Sequence, residues 1–211
     1  MIQLAKVSIG ILSLVCAVGA GWTFAYRPAE PPKCVAVGTA PGGAAPGKLL
    51  THLQPELGHK LAAFSEGCFW GTEKLFRHTT GVTATAVGYM GGRTAFPSYE
   101  QAHQTGHAET VLVEYDPKLV TYKTLLTKFW QLRHPHKSAS EDQRHPFRSA
   151  IWTYDPDQLA QASESLSKKQ TKDDVGLATR VQPAQAFYLA EAYHQQYSDR
   201  TETDACPILT E

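Results

Sequence analysis

Cys68 stands in the stretch FSEGCFWGTEKLF, Phe64 to Phe76, between two glycines and directly before two aromatic rings. A thiol in that setting can serve as a nucleophile. Ala62 to Phe64 read as the end of a strand and Gly71 to Phe76 as the first turns of a helix, so Cys68 falls at a strand-to-helix corner. Gly67 and Gly71 let the backbone turn sharply and let a ligand approach closely. Unpaired N–H groups and the dipole at a helix start favour an anion, which predicts a lowered thiol pKa. The other reading is a small buried residue at a tight turn, and spacing alone leaves both open.

Further chemistry-bearing residues lie in polar stretches. PSYEQAHQTGHAET supplies Tyr99, His107 and Glu109, with Glu109 entering a segment that otherwise reads as a buried strand. A carboxyl there is a solvated edge residue or, if buried, a group with a raised pKa that holds a proton near neutrality. The chain has 9 histidines, but the pair His134 and His136 has no evident third ligand, so no metal site is expected. Its 4 cysteines, at 16, 34, 68 and 206, include no Cys-x-x-Cys pair, which excludes a local zinc knuckle or thioredoxin-type motif. A structural bridge between Cys68 and Cys206 is a further possibility in an exported protein.

These residues need a frame. The chain has 211 residues and 42% hydrophobic content, and its 20 basic and 20 acidic residues cancel, so it carries no electrostatic footprint for nucleic acid. Residues 1–26 hold Lys6 and then an uncharged run from Val7 to Tyr26, long enough to span a bilayer. The same run suits a secretory signal, with Val18 and Ala20 before Gly21 as a small-residue cleavage site. Both readings predict an exported protein, periplasmic, secreted or anchored by this segment, with no other membrane contact. Residues 27–48, rich in Pro, Gly and Ala, read as a linker. Residues 49–211 then form one folded domain of about 160 residues.

Within that domain, strands are predicted over Lys60–Phe64, Val82–Met90, Glu109–Asp116 and Arg148–Asp155. Helices are expected over Gly71–Gly81, Thr121–His134 and Pro156–Gln170, and Thr179–Arg200 reads as a short strand and a final helical segment. Along Glu109–Asp116, Val111, Val113 and Tyr115 share one face, and Thr110, Leu112 and Glu114 the other. Arg93–Ala108 and Pro135–Phe147 read as long loops, which in compact domains are usually functional. Helices alternating with strands that look hairpin-joined favour an α+β sandwich, helices on a mostly antiparallel sheet.

GCFWG, then GVTATAVGYMGG, PSY, TGHAE, YDP, FRSAI and HQQY, in that order from about Leu61 to Cys206, resemble the methionine sulfoxide reductase A family. The resemblance implies a ferredoxin-like two-layer α+β core. It implies reduction of the S-epimer of methionine sulfoxide, free or in proteins, without metal or organic cofactor. On that resemblance Cys68 is the nucleophile, Glu109 the acid, and Tyr99 a hydroxyl that holds the sulfoxide oxygen. Phe69 and Trp70 cage the substrate methyl, His107 belongs to the binding segment, and Asp142 takes the place of a loop aspartate. Phe147 departs from the family, which usually has Tyr there, and the segment between Tyr99 and TGHAE is about two residues short. Cys206 stands where the family carries a resolving cysteine, so a Cys68–Cys206 disulfide recycled by a thioredoxin-like reductant is implied. Two other classes fit the cysteine itself: a hydrolase pairing Cys68 with His107 or His194, and a binding module with a Cys68–Cys206 bridge.

Overall fold

The computed structural model describes residues 55–132, 144–172 and 179–202, together with the backbone of a two-residue strand at Lys48–Leu49. The N-terminal segment, most of the linker, Asp142 and Cys206 lie outside the described residues. Among the described residues, no helix is long and apolar enough to cross a membrane.

The elements run β1 (Lys48–Leu49), β2 (Lys60–Ser65), α1 (Phe69–Arg77), β3 (Val82–Met90), α2 (Tyr99–Thr105), β4 (Ala108–Tyr115), α3 (Tyr122–Leu132), β5 (Ala150–Thr153), α4 (Pro156–Lys172), β6 (Arg180–Pro183), β7 (Phe187–Leu189) and α5 (Tyr197–Thr201). One sheet has the order β1-β3-β4-β2-β5-β6, with β7 paired to β3. Within the central run β3-β4-β2-β5 each adjacent pair is antiparallel, and β1/β3 and β5/β6 at its edges are parallel. The unit β2-α1-β3-β4-α3-β5 is the β-α-β-β-α-β arrangement of the ferredoxin-like fold, so the expected class holds. Its antiparallel pairing comes partly from consecutive strands, β3 and β4 joined through α2, and partly from crossovers. Each helical crossover, α1 from β2 to β3 and α3 from β4 to β5, skips one strand, and the skipped strand runs the other way.

Period-two patterning decides the two faces of the sheet. Val111, Val113 and Tyr115 join Phe64, Phe76, Leu125, Leu126 and Phe129 in the core beneath α1 and α3. Leu112 packs on the other side with Ala63, Ala86, Met90, Trp152 and Phe187. The Phe64 ring stacks on Phe76 at 4.6 Å and on Phe129 at 5.6 Å, tying β2 to both helices. Truncating Phe76 to Ala would cost about 3–5 kcal/mol by the usual core rule, and it would loosen the helix that begins at Cys68.

Two segments differ from expectation. The stretch expected as a loop from Arg93 to Ala108 contains α2. Ser98 accepts the Gln101 N–H while the Gln101 side chain accepts the Ser98 N–H, a capping box, and Gly106 closes the helix at φ +78°. Only Ala102 of α2 is buried, so no apolar periodicity advertised it. The stretch after Thr179 holds two strands rather than one, and its last helix has only 5 residues. Gly88 makes room for β7, since a Cβ there would stand 2.3 Å from the Tyr188 carbonyl oxygen.

Candidate active site

The site gathers at one end of the central strands. There β2 ends at Ser65, paired with Ala150 at the start of β5, and β3 ends at Met90, paired with Ala108 at the start of β4. Connections leaving and entering at that end bring in Cys68, Tyr99, Glu109 and Phe147.

Cys68 is the N-cap of α1, 7% exposed, in extended conformation. Gly67 before it has φ +63°, a left-handed conformation that a side chain would strain. A Cβ on Gly71 would meet no atom within 4 Å. Thr72 fastens the corner by donating to the Glu66 and Cys68 carbonyls at 3.1 and 3.3 Å.

Glu109 lies on the helix side of β4, at the head of the series Val111, Val113 and Tyr115, and is 2% exposed. Its Oε2 accepts the Phe69 N–H at 3.0 Å, so the carboxyl caps the first turn of α1 one residue beyond the thiol. Its Oε1 lies 3.3 Å from His103 Nε2. Burial pushes the carboxyl pKa up against the pull of both contacts. Desolvation wins, and the group tends to keep its proton.

Aromatic rings build the wall. Tyr99 starts α2, its N–H donating to Glu191 Oε1 at 2.9 Å, and the Tyr89 hydroxyl donates to Glu191 Oε2 at 2.8 Å. Burial works upward on Glu191, but these donors, with Tyr99 foremost, hold its carboxyl below the ordinary value. The Tyr99 ring lies 4.3 Å from His103 and 4.9 Å from His194. Phe69 packs against Tyr89 and His194, and half-buried Trp70 stacks on Tyr197 at 3.8 Å. Trp70 Nε1–H donates to His194 Nδ1 at 3.1 Å. Indole is only a donor, so Nδ1 is the acceptor and neutral His194 carries its hydrogen on Nε2. Burial lowers the His194 pKa to about 4, which keeps it neutral. Phe147 enters through its loop, where the Pro146 carbonyl accepts the Glu109 N–H at 2.9 Å, and its ring meets His103 edge-on at 5.5 Å.

The motif HQQY is thereby explained residue by residue. His194 takes the Trp70 N–H, and the Gln195 side chain bonds both the N–H and the C=O of Val87 on β3 at 2.9 Å. The Gln196 N–H donates to buried Glu73 at 2.7 Å, and Tyr197 covers Trp70. The chain after β7 is fastened in this way to α1, on the side of the thiol.

Cys68, Phe69, Trp70, Tyr99, Glu109 and Phe147 are therefore neighbours through these bonds and ring contacts. His107 stands apart. It is fully buried against Gly92, its Nδ1 lies 2.9 Å from Thr105 Oγ1, and its ring meets Tyr188. Sequence reasoning passed over His103 and Glu191. Neither belongs to a recognisable spacing pattern, and Glu191 reaches Tyr99 from 92 residues away. Among the described residues, one trio could offer ligand atoms to a metal: Glu56, His59 and Glu114, within 4.8 Å of one another. It belongs to the opposite end of β2 and β4.

Fold and site together describe a thiol-bearing ferredoxin-like α+β domain with a buried acid beside the thiol corner. A family model described as peptide methionine sulfoxide reductase matches residues 60–211. Peptide methionine sulfoxide reductase A2 of Arabidopsis thaliana is 45% identical over 147 residues, 68% of this chain and 67% of that protein. The peptide methionine sulfoxide reductase MsrA of Methanosarcina acetivorans is 42% identical over 155 residues, 69% of this chain and 81% of that protein. Among solved structures, reduced Mxr1 from Saccharomyces cerevisiae superposes with a TM-score of 0.64 at 30% identity, covering 72% of this chain and 91% of that one. Mxr1 in complex with Trx2 does so at 0.51 and 25% identity, covering 76% and 94%. The chain belongs to the peptide methionine sulfoxide reductase family.

Proposed function

We propose that this chain reduces methionine S-sulfoxide, free or within proteins, to methionine at the expense of thiols. Cys68 Sγ attacks the sulfoxide sulfur as a thiolate, and Glu109 delivers a proton to the oxygen as the sulfur–oxygen bond gives way. The Tyr99 hydroxyl steadies that oxygen, and Phe69 and Trp70 hold the sulfur-bound methyl, a contact favoured between sulfur groups and aromatic rings. Water formed from that oxygen then adds to the Cys68 sulfur as the transient sulfur–sulfur bond breaks, releasing methionine: thiol plus sulfoxide gives sulfenic acid plus methionine. The Cys206 thiol then displaces water to form the Cys68–Cys206 disulfide, which a thioredoxin-like dithiol reduces by exchange. Asp142 completes the binding segment on this reading, whereas His107, buried against Gly92 and turned to Thr105, supports the segment from behind.

The observation that carries the proposal is the Phe69 N–H bonded to a buried, proton-retaining Glu109, immediately beyond the thiol. Sulfoxide oxygen leaves only when protonated, and this geometry supports a neutral acid that keeps its proton next to the nucleophile. A hydrolase would need a histidine base. His194 presents a hydrogen on Nε2 and takes the Trp70 N–H on Nδ1, while His107 turns to Thr105, so neither favours that chemistry. For location, the uncharged run Val7–Tyr26 behind Lys6 supports export. The test gives the protein each epimer of methionine sulfoxide with a thioredoxin system. Reductant should be consumed with the S-epimer and spared with the R-epimer; no consumption with either defeats the proposal.

A further inference from the structure

On the reading above, Glu109 gives up a proton in every turnover from a position that is 2% exposed. A proton must return to it each time, and the surroundings offer few routes. Oε2 is occupied by the Phe69 amide, which donates a hydrogen bond but is no acid. The Tyr89 phenol is paired with Glu109 across β3 and β4, yet it is fully buried, its hydroxyl is committed to Glu191, and burial raises its pKa. His194, behind Tyr99, is 3% exposed and neutral. Cys68 is 7% exposed and is itself the nucleophile.

His103 is placed differently. Its Nε2 stands 3.3 Å from Oε1, the oxygen the amide leaves open, and its side chain is 27% exposed. Its ring is held by Tyr99 at 4.3 Å and by the edge contact with Phe147 at 5.5 Å. It reaches from the sealed carboxyl to solvent, and α2 carries it one turn beyond Tyr99. We propose that His103 is the positioning residue and proton conduit of Glu109, holding Oε1 and handing it the proton that replaces the one given to substrate. The transfer is balanced. An imidazolium N–H passes its proton to the carboxylate, leaving neutral imidazole and carboxylic acid, and the imidazole takes a new proton from a solvent or buffer acid. The total also balances, because Cys68 releases one proton on becoming a thiolate and Glu109 takes one back from solvent through His103.

The test rests on the proposed reductase activity and uses the full chain, methionine S-sulfoxide and excess dithiothreitol. His103→Ala should lower kcat roughly tenfold, a part of the 10²–10⁴-fold that a positioned acid supplies, with KM little changed. Added imidazole should restore the His103→Ala rate in proportion to its concentration and leave the parent chain unaffected. His103→Gln keeps a hydrogen bond to Oε1 but cannot carry a proton, so it should stay slow. A parent-like rate in His103→Ala or His103→Gln overturns the proposal, as does a folded, slowed His103→Ala that imidazole cannot help. Should His103→Ala lose its melting transition, the His103→Gln rate decides by itself. A parent chain that reduces no sulfoxide defeats the reductase reading instead, a distinct outcome.

Discussion

Strand β4 carries two buried glutamates, five residues apart, at opposite ends and on opposite faces of the sheet. Glu114, 4% exposed, gathers three contacts on one oxygen. Its Oε1 lies 2.7 Å from His59 Nδ1 and accepts the Thr83 hydroxyl at 3.1 Å and the Glu56 N–H at 3.4 Å. Glu109 has one amide and one imidazole contact, and burial prevails over both. The difference teaches what separates a structural carboxyl from a chemical one. Glu109 stands at the thiol corner with its pKa raised by burial, as a proton donor beside a nucleophile requires, whereas Glu114 ties β4 to the chain before β2 and to β3 at the far end.

Substitutions can break that comparison, beginning at the thiol. Cys68→Ser should abolish reduction and leave the melting temperature nearly unchanged, since a hydroxyl fills the corner but is a poor nucleophile; a sulfoxide assay and a thermal melt check both. Next comes the paired test on β4. Glu109→Gln should slow the first reduction step by about 10²–10⁴-fold, the usual worth of a positioned acid, as read in single turnovers. Glu114→Gln should leave that step within about twofold and cost stability instead, about 1–3 kcal/mol for donors left poorly met, read from urea unfolding. Parent-like single turnover in Glu109→Gln would erase the distinction between the two ends.

A third buried carboxyl sharpens the contrast. Glu73, on the inner face of α1, is 1% exposed and has its pKa raised to about 7 by burial, despite the Gln196 N–H and the Thr85 hydroxyl. A folded-state pKa above the unfolded value of 4.5 means that the folded protein binds the extra proton. Its stabilising contribution is therefore complete below about pH 4.5 and is lost as pH rises through about 7. The span corresponds to roughly 3 kcal/mol. Glu73→Gln should flatten the fall in unfolding free energy between pH 5 and about pH 8. The smallest expected effect is Phe147→Tyr. One more hydroxyl near His103 and the substrate oxygen should improve kcat/KM by at most about tenfold, one hydrogen bond's worth, in steady-state assays.

The residues show which parts of this molecule could be read in advance. Cys68 and its glycines were legible because a strand end, a helix start and two small residues are local signals. The faces of β4 followed from strict alternation, and the antiparallel core from the order of elements, though not the crossovers that help produce it. The helix α2 was missed because its evidence is a capping box and a closing glycine, with one buried residue and no stripe. Glu191, which joins the Tyr89 hydroxyl to the Tyr99 amide, becomes visible only when segments about a hundred residues apart are folded together. Burial of Glu109 belongs to the same class: a carboxyl at a strand entrance is more commonly a solvated edge residue, and tertiary packing made this one a buried acid.

The stack of Trp70 on Tyr197 has an optical consequence. Trp70 is half-buried, faces a phenol ring at 3.8 Å and shares its N–H with His194, whereas Trp130 and Trp152 sit inside the protein at 8% and 0% exposure. Its emission therefore registers any displacement of the segment that leads toward Cys206. Replacing Trp22, Trp130 and Trp152 with Phe would leave it the sole indole of the chain, and fluorescence could then time closure of the proposed Cys68–Cys206 disulfide without an added label.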